Sequence, residues 1–129
     1  MKIMRSAEDY LEAMLMMQER HGYIRSIDIA AELNVTKPSV SYATKRLAEN
    51  GYINKEPNGA ITLTEKGMEI ASRIYERHRV LTYLLLYLGV DESHARDDAC
   101  KLEHDLSVET FDKIRACAEA LQAREAHDD

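Results

Sequence analysis

The chain has no Trp, one Phe, two Pro and two Cys in 129 residues. A core without Trp and with a single Phe must be built from Leu, Ile, Ala, Met and Tyr. Two cysteines, Cys100 and Cys117, are too few for a disulfide framework and read as free thiols, with Cys117 expected as a small core residue. The longest apolar-rich run, 80–90, is about half the roughly 20 residues a spanning helix needs. No basic-then-apolar leader opens the sequence, so a cytoplasmic protein without a membrane partner is expected. There is no His-Glu-x-x-His run and no nucleophile–base pair with recognisable spacing, so the expectation is a protein that is not an enzyme.

A uniformly basic surface is also missing, since the net charge is −6. The deficit is uneven. Residues 1–67 carry nine Lys/Arg and nine Asp/Glu, whereas residues 68–129 carry eight and fourteen. Phosphate contact is therefore expected from a local patch in the first half, and cation binding in the second half would offset part of the acidic excess.

What is present is a succession of helix signals interrupted once. Ser6 is expected to cap a helix over 7–19, with Leu11, Met14 and Leu15 on one side. Ser26 is expected to cap a second over 27–33. Thr36 caps a third over 37–49, with Pro38 in its first turn and Asn50-Gly51 past its end. Apolar pairs then bracket Pro57-Asn58-Gly59, a turn signal that predicts a β-hairpin over 52–63. Thr64 opens a long helix to about residue 88, striped by Ile70, Ile74, Leu81, Leu84, Leu85 and Leu88. A fifth helix is expected over 92–105. Ser107 opens a sixth with Phe111, Ile114, Ala118 and Leu121 on one face, and 126–129 read as a frayed tail. The fold class is mainly α with a small β-hairpin: a winged helix-turn-helix domain over 1–70 and a helical domain over 71–129.

Helix, tight turn, helix, hairpin is the order of a winged helix-turn-helix. The second helix of such a unit enters the major groove of DNA. Candidate DNA contacts are Thr36, Lys37, Pro38, Ser39, Ser41, Tyr42 and Lys45 on that helix, with Lys55 and Asn58 in the wing. Ala30, Val35, Val40 and Leu47 fit the seam between the two helices. A competing reading takes the polar face as merely solvated.

Six further side chains carry metal chemistry. Asp9 and Glu12 are three apart on the first helix and share a face. Cys100, Glu103 and His104 stand at i, i+3 and i+4 on the fifth, and His78 lies on the fourth. Carboxylate, imidazole and thiolate together suit a first-row divalent ion. Against this, Asp9 and Glu12 can simply favour the helix dipole, and Cys100 alone can serve as a redox sensor.

These segments resemble the diphtheria toxin repressor (DtxR) family, and more closely its short two-domain members of the manganese transport regulator (MntR) type. The resemblance covers 6–121 and is carried by Glu8-Asp9-Tyr10-Leu11-Glu12, Asn34-Val-Thr-Lys-Pro-Ser-Val-Ser41, Leu63-Thr-Glu-Lys-Gly67, Arg77-His78-Arg79 and Asp98-Ala-Cys-Lys-Leu-Glu-His104. It implies a repressor controlling metal homeostasis, with Fe²⁺ or Mn²⁺ as corepressor, acting as a homodimer on palindromic operator DNA. It implies Asp9, Glu12, His78, Glu103 and His104 as ligands of the manganese type. Cys100 departs from that type, which has glutamate there, and matches the iron type. Asp9 departs from the iron type, which has methionine. The hybrid set favours Fe²⁺ over Mn²⁺, with Co²⁺ or Zn²⁺ binding in vitro. Thr82 and Arg96 stand where the resemblance leads one to expect ligands of an iron-type second site. The alternative is a winged-helix regulator sensing a non-metal ligand.

Overall fold

Thr36 Oγ1 accepts the Ser39 N–H at 3.2 Å and starts a helix whose two limits are both written in the sequence. In the computed structural model, which describes residues 4–128, the elements run α1 (Arg5–His21), α2 (Ser26–Leu33), α3 (Lys37–Glu49), β1 (Ile53–Lys55), β2 (Ile61–Leu63), α4 (Glu65–Tyr87), α5 (Glu92–Leu102) and α6 (Val108–Asp128). They form two compact units, Met1–Tyr75 and Glu76–Asp129, whose boundary falls inside α4.

The first unit is a winged helix built on α1. Leu11, Met14, Leu15 and Met17 of α1 are buried with Ile29 of α2, Val40 and Leu47 of α3, Ile53 and Ile61 of the hairpin and Ala71 of α4. Each large aliphatic chain withdrawn in this way contributes about 1.5–3 kcal/mol. The strands pair antiparallel, Ile53 opposite Leu63 and Lys55 opposite Ile61. Ile24 adds an isolated bridge to Ile61, which ties the α1–α2 connection to the wing. At the hairpin tip Gly59 takes φ 87°, and the Ala60 N–H donates to Asn58 Oδ1 at 3.0 Å. Thr64 then starts α4: its hydroxyl donates to Gly51 O at 2.7 Å and accepts the Gly67 N–H at 3.1 Å. Gly67 is required at this point, because a Cβ there would stand 2.0 Å from the Tyr52 carbonyl oxygen.

The second unit comprises the C-terminal half of α4, α5 and α6. Leu81, Ala95, Ala99, Phe111 and Ala118 are buried, together with two charged side chains, Arg77 and Glu103. Asp91 caps α5 by accepting the His94 N–H at 3.2 Å. Ser107 Oγ accepts the Thr110 N–H at 3.1 Å at the start of α6.

Several sequence expectations need correction. Ser6 and Ser26 are not caps; they lie inside α1 and α2, behind Met4 and Arg25 as N-cap residues without side-chain cap bonds. Val35 is 37% exposed instead of lying in the helix seam, because Asn34 turns the chain through the left-handed region at φ 54° and leaves Val35 in the turn. Leu88 follows the last residue of α4 and is exposed. Cys117 is exposed rather than buried, since it falls off the Phe111–Ala118 stripe of α6. Of the tail 126–129 read as frayed, residues 126–128 continue α6, and Asp129 lies outside the described residues. Finally, α5 ends at Leu102, so Glu103 is its cap and His104 lies in the following turn.

Candidate metal centre and nucleic-acid interface

In the second unit three donors of different chemistry meet. His78 comes from α4, Cys100 from the last turn of α5 and Glu103 from its C-cap. Their ligand atoms all lie within 4.8 Å of one another. His78 Nδ1 is 3.1 Å from Glu103 Oε2 and 3.8 Å from Cys100 Sγ. Donors sharing a first-row ion at bonds of about 2.0–2.3 Å stand roughly 3–4 Å apart, so the spacing fits a cation of that size. His104 joins on the other side of the same carboxylate, with Nε2 3.4 Å from Glu103 Oε1.

The electrostatics are those of a site short of positive charge. The Glu103 side chain is completely buried, and its Oε1 makes no hydrogen bond among the described residues. A carboxylate withdrawn from water is costly unless paired. The nearby Cys100 sulfur, and then the Glu103 carboxylate, push His78 up to about 10. The imidazole thus holds a proton where a divalent ion would supply the same compensation. Oxygen, nitrogen and sulfur donors with a buried, incompletely satisfied carboxylate form a set that suits a first-row divalent metal.

Asp9 and Glu12 belong to the first unit, three residues apart on α1; Asp9 is half-buried and Glu12 buried. Of the six expected ligands, the second unit brings together His78, Cys100 and Glu103, with His104 beside the other oxygen of Glu103.

The nucleic-acid candidates lie in the first unit. Thr36, Lys37, Pro38, Ser39, Ser41, Tyr42 and Lys45 are all exposed along α3 and its N-cap. Tyr42, 64% exposed, is steadied by Arg46, whose Nη1 donates to its hydroxyl at 3.0 Å. Lys55 is exposed in β1, and its Nζ donates to Thr44 Oγ1 of α3 at 3.4 Å, which ties the wing to the helix. Asn58 is exposed at the wing tip, where its side-chain oxygen serves the turn itself.

Two cations escaped the sequence reading. Arg46 was legible as the i+4 partner of Tyr42. Arg77 stood in the Arg77-His78-Arg79 segment but was given no role there, and two of its acceptors are main-chain oxygens that no spacing marks: Nη1 donates to Glu103 O at 3.1 Å and to Leu106 O at 2.8 Å.

Comparison with known proteins places both halves in one family. Residues 2–61 match the N-terminal DNA-binding domain of iron-dependent repressors, and residues 64–128 match their metal-binding and dimerisation domain. A relative from Methanocaldococcus jannaschii, described as an uncharacterized HTH-type transcriptional regulator, is 40% identical over 119 residues, covering 91% of this chain and 95% of its own. The HTH-type transcriptional regulator MntR of Lysinibacillus sphaericus is 35% identical over 124 residues, covering 96% and 87%. Among solved structures, a manganese-dependent transcriptional repressor in complex with manganese superposes with a TM-score of 0.79 at 30% identity, over 88% of this chain and 52% of that one. The manganese regulator SloR superposes at 0.77 with 28% identity, over 88% and 53%. The chain spans about half the length of those two structures. No helix among the described residues is long and apolar enough to cross a membrane.

Proposed function

This chain belongs to the iron-dependent repressor family, whose members are metal-dependent DNA-binding repressors of transcription, and we propose that it controls metal-ion homeostasis with Fe²⁺ or Mn²⁺ as its corepressor. The observation that carries the reading is the meeting of His78, Cys100 and the buried Glu103 at ion-binding spacing. Asp9, Glu12, His78, Cys100, Glu103 and His104 are the proposed ligands. The thiolate of Cys100 favours Fe²⁺ over Mn²⁺, and the affinity order admits Co²⁺ or Zn²⁺ in vitro.

When bound, the cation supplies the positive charge that lets these carboxylates and the thiolate share one place. The rest is done by the chain's own residues. Glu103 Oε2 orients His78 through a 3.1 Å hydrogen bond, and its Oε1 lies 3.4 Å from His104 Nε2. Asp9 and Glu12 stand on α1, the helix around which the DNA-binding unit is built, so engaging them biases how the reader is held. In the homodimer two α3 helices then present Lys37, Ser39, Ser41, Tyr42 and Lys45 to successive major grooves of a palindromic operator, one helical turn or a multiple apart. Thr36, Pro38, Lys55 and Asn58 complete the contact surface. The proposed domain roles are DNA reading by 1–70 and metal binding and dimerisation by 71–129, with Asp9 and Glu12 contributed from the first. A cytoplasmic location accords with this reading. Corepression measures the differential affinity of the ion for the DNA-competent state, about 1–3 kcal/mol in typical cases.

The test is selection of binding sites from a random duplex library under anaerobic conditions. Binding to the selected site is then measured with Mn²⁺, Fe²⁺, Co²⁺, Zn²⁺ or chelator. Tighter binding with Fe²⁺ or Mn²⁺ is expected. Equal affinity with metal and with chelator would overturn the reading in favour of a regulator sensing a non-metal ligand.

A further inference from the structure

We propose that Arg77 is a positioning residue for the metal ligands, setting the turn after α5 so that Glu103 meets His78 and Cys100 on one side of its carboxylate and His104 on the other. The inference rests on the metal-dependent reading above and assigns a role to a residue outside its ligand set.

The need for such a residue follows from where the ligands lie. α5 ends at Leu102, so Glu103 and His104 are not held by a continuing helical ladder. The Glu103 N–H still donates to Ala99 O at 2.9 Å and the Asp105 N–H to Leu102 O at 3.2 Å. Beyond that the helix leaves carbonyl groups without intrahelical donors. A single nitrogen of Arg77 takes two oxygens of this segment, Glu103 O at 3.1 Å and Leu106 O at 2.8 Å. These are charge-assisted bonds, stronger than neutral ones. The guanidinium is also fixed from α6: its carbon lies 5.1 Å from the centre of the buried Phe111 ring. Arg77 itself is only 7% exposed.

Sequence adjacency turns this clamp into a ligand register. Glu103 is tied at both ends to consecutive residues of α4, its carbonyl to Arg77 and its carboxylate to His78. The stretch of helix that places the imidazole therefore also places the turn that must meet it. One of these two bonds meets the Glu103 carbonyl at the C-cap of α5, where the helix dipole is negative and a positive charge is favoured. The Glu103 carboxylate is left to the two imidazoles.

The experiment uses the full chain and Co²⁺ as probe. It compares wild type, Arg77→Met and Arg77→Lys. Three quantities are read: thermal unfolding in chelator, Co²⁺ affinity by chelator competition, and the visible and near-ultraviolet Co²⁺ spectrum including the sulfur-to-cobalt band. Arg77→Met is expected to unfold cooperatively in chelator, to bind Co²⁺ about 10–100-fold more weakly and to show an altered ligand-field spectrum. Arg77→Lys, which keeps a charged donor but not the planar stack, is expected to recover part of both. A wild-type spectrum and affinity in Arg77→Met would overturn the proposal. So would an Arg77→Met that does not fold beside an Arg77→Lys indistinguishable from wild type, since that pattern marks a purely structural role. Failure of the wild type to bind Co²⁺ would instead overturn the metal-site reading, and this proposal with it.

Discussion

Glu103 and His78 meet through Oε2 and Nδ1 at 3.1 Å across 25 residues of sequence. The pair joins the end of α5 to the middle of α4 inside one unit. Its folded-state consequence is a histidine pushed up to about 10, by the Cys100 sulfur first and the Glu103 carboxylate second.

That shift sets a pH dependence for the metal-free protein. A histidine raised above its ordinary value of about 6.5 adds stability that is fully present below that value and is lost as the pH rises through about 10. In chelator, urea midpoints are expected to fall between neutral pH and pH 10, and Glu103→Gln is expected to flatten the fall. A midpoint that climbs through this window would contradict the ion pair.

Cys100 is the soft donor of the cluster, so its removal acts unequally on different metals. Cys100→Ser is expected to weaken Co²⁺ and Zn²⁺ by more than tenfold (about 1.4 kcal/mol per factor of ten) and Mn²⁺ by less, since thiolate favours softer ions. Cys100→Ala and His104→Ala are expected to lose metal-stimulated DNA binding while the dimer stays folded. Calorimetry and operator titration measure the two effects separately, and an unchanged metal ranking in Cys100→Ser would place the sulfur outside the coordination.

Lys37 and Lys45 are exposed on α3, and neither is among the proposed metal ligands. Lys37→Ala or Lys45→Ala is expected to weaken DNA binding and lower the salt slope by about 0.9 for each phosphate that is no longer neutralised. Metal affinity is expected to stay at the wild-type value. Anisotropy titrations at several salt concentrations decide this, and wild-type DNA affinity in both variants would misplace the reading helix.

Gly67 lies where α4 passes the Tyr52 carbonyl. A methyl group there would come within 2.0 Å of the Tyr52 oxygen, a main-chain atom that also accepts the Thr64 N–H at 3.1 Å. Gly67→Ala is expected to destabilise the first unit by roughly 1–3 kcal/mol, the usual cost of overpacking, as read from a denaturant midpoint. A wild-type midpoint would show that the wing and α4 separate without cost.

How much was legible varies by element. α3 was readable at both ends because Thr36, Pro38 and Asn50-Gly51 act within a few residues of themselves. The wing was readable from Pro57-Asn58-Gly59 for the same reason, and its strands lie inside the expected hairpin. The grouping of Cys100, Glu103 and His104 was visible as spacing, but the end of α5 at Leu102 was not. Ser6 and Ser26 misled because a serine near a helix start is only a cap if the backbone turns extended at that residue. Cys117 misled because apolar character alone does not say which side of a long helix is covered.

The amino-acid order by itself determined the helices with strong local punctuation, the hairpin, and the kinds of donor available for a cation. Those properties depend on side chains near one another along the chain. Only the tertiary structure decided that His78 and Glu103 meet at hydrogen-bond distance, and that Arg77 grips the turn after α5 through two main-chain oxygens. Every residue carries such an oxygen, so no letter in the sequence marks which ones a distant guanidinium will find.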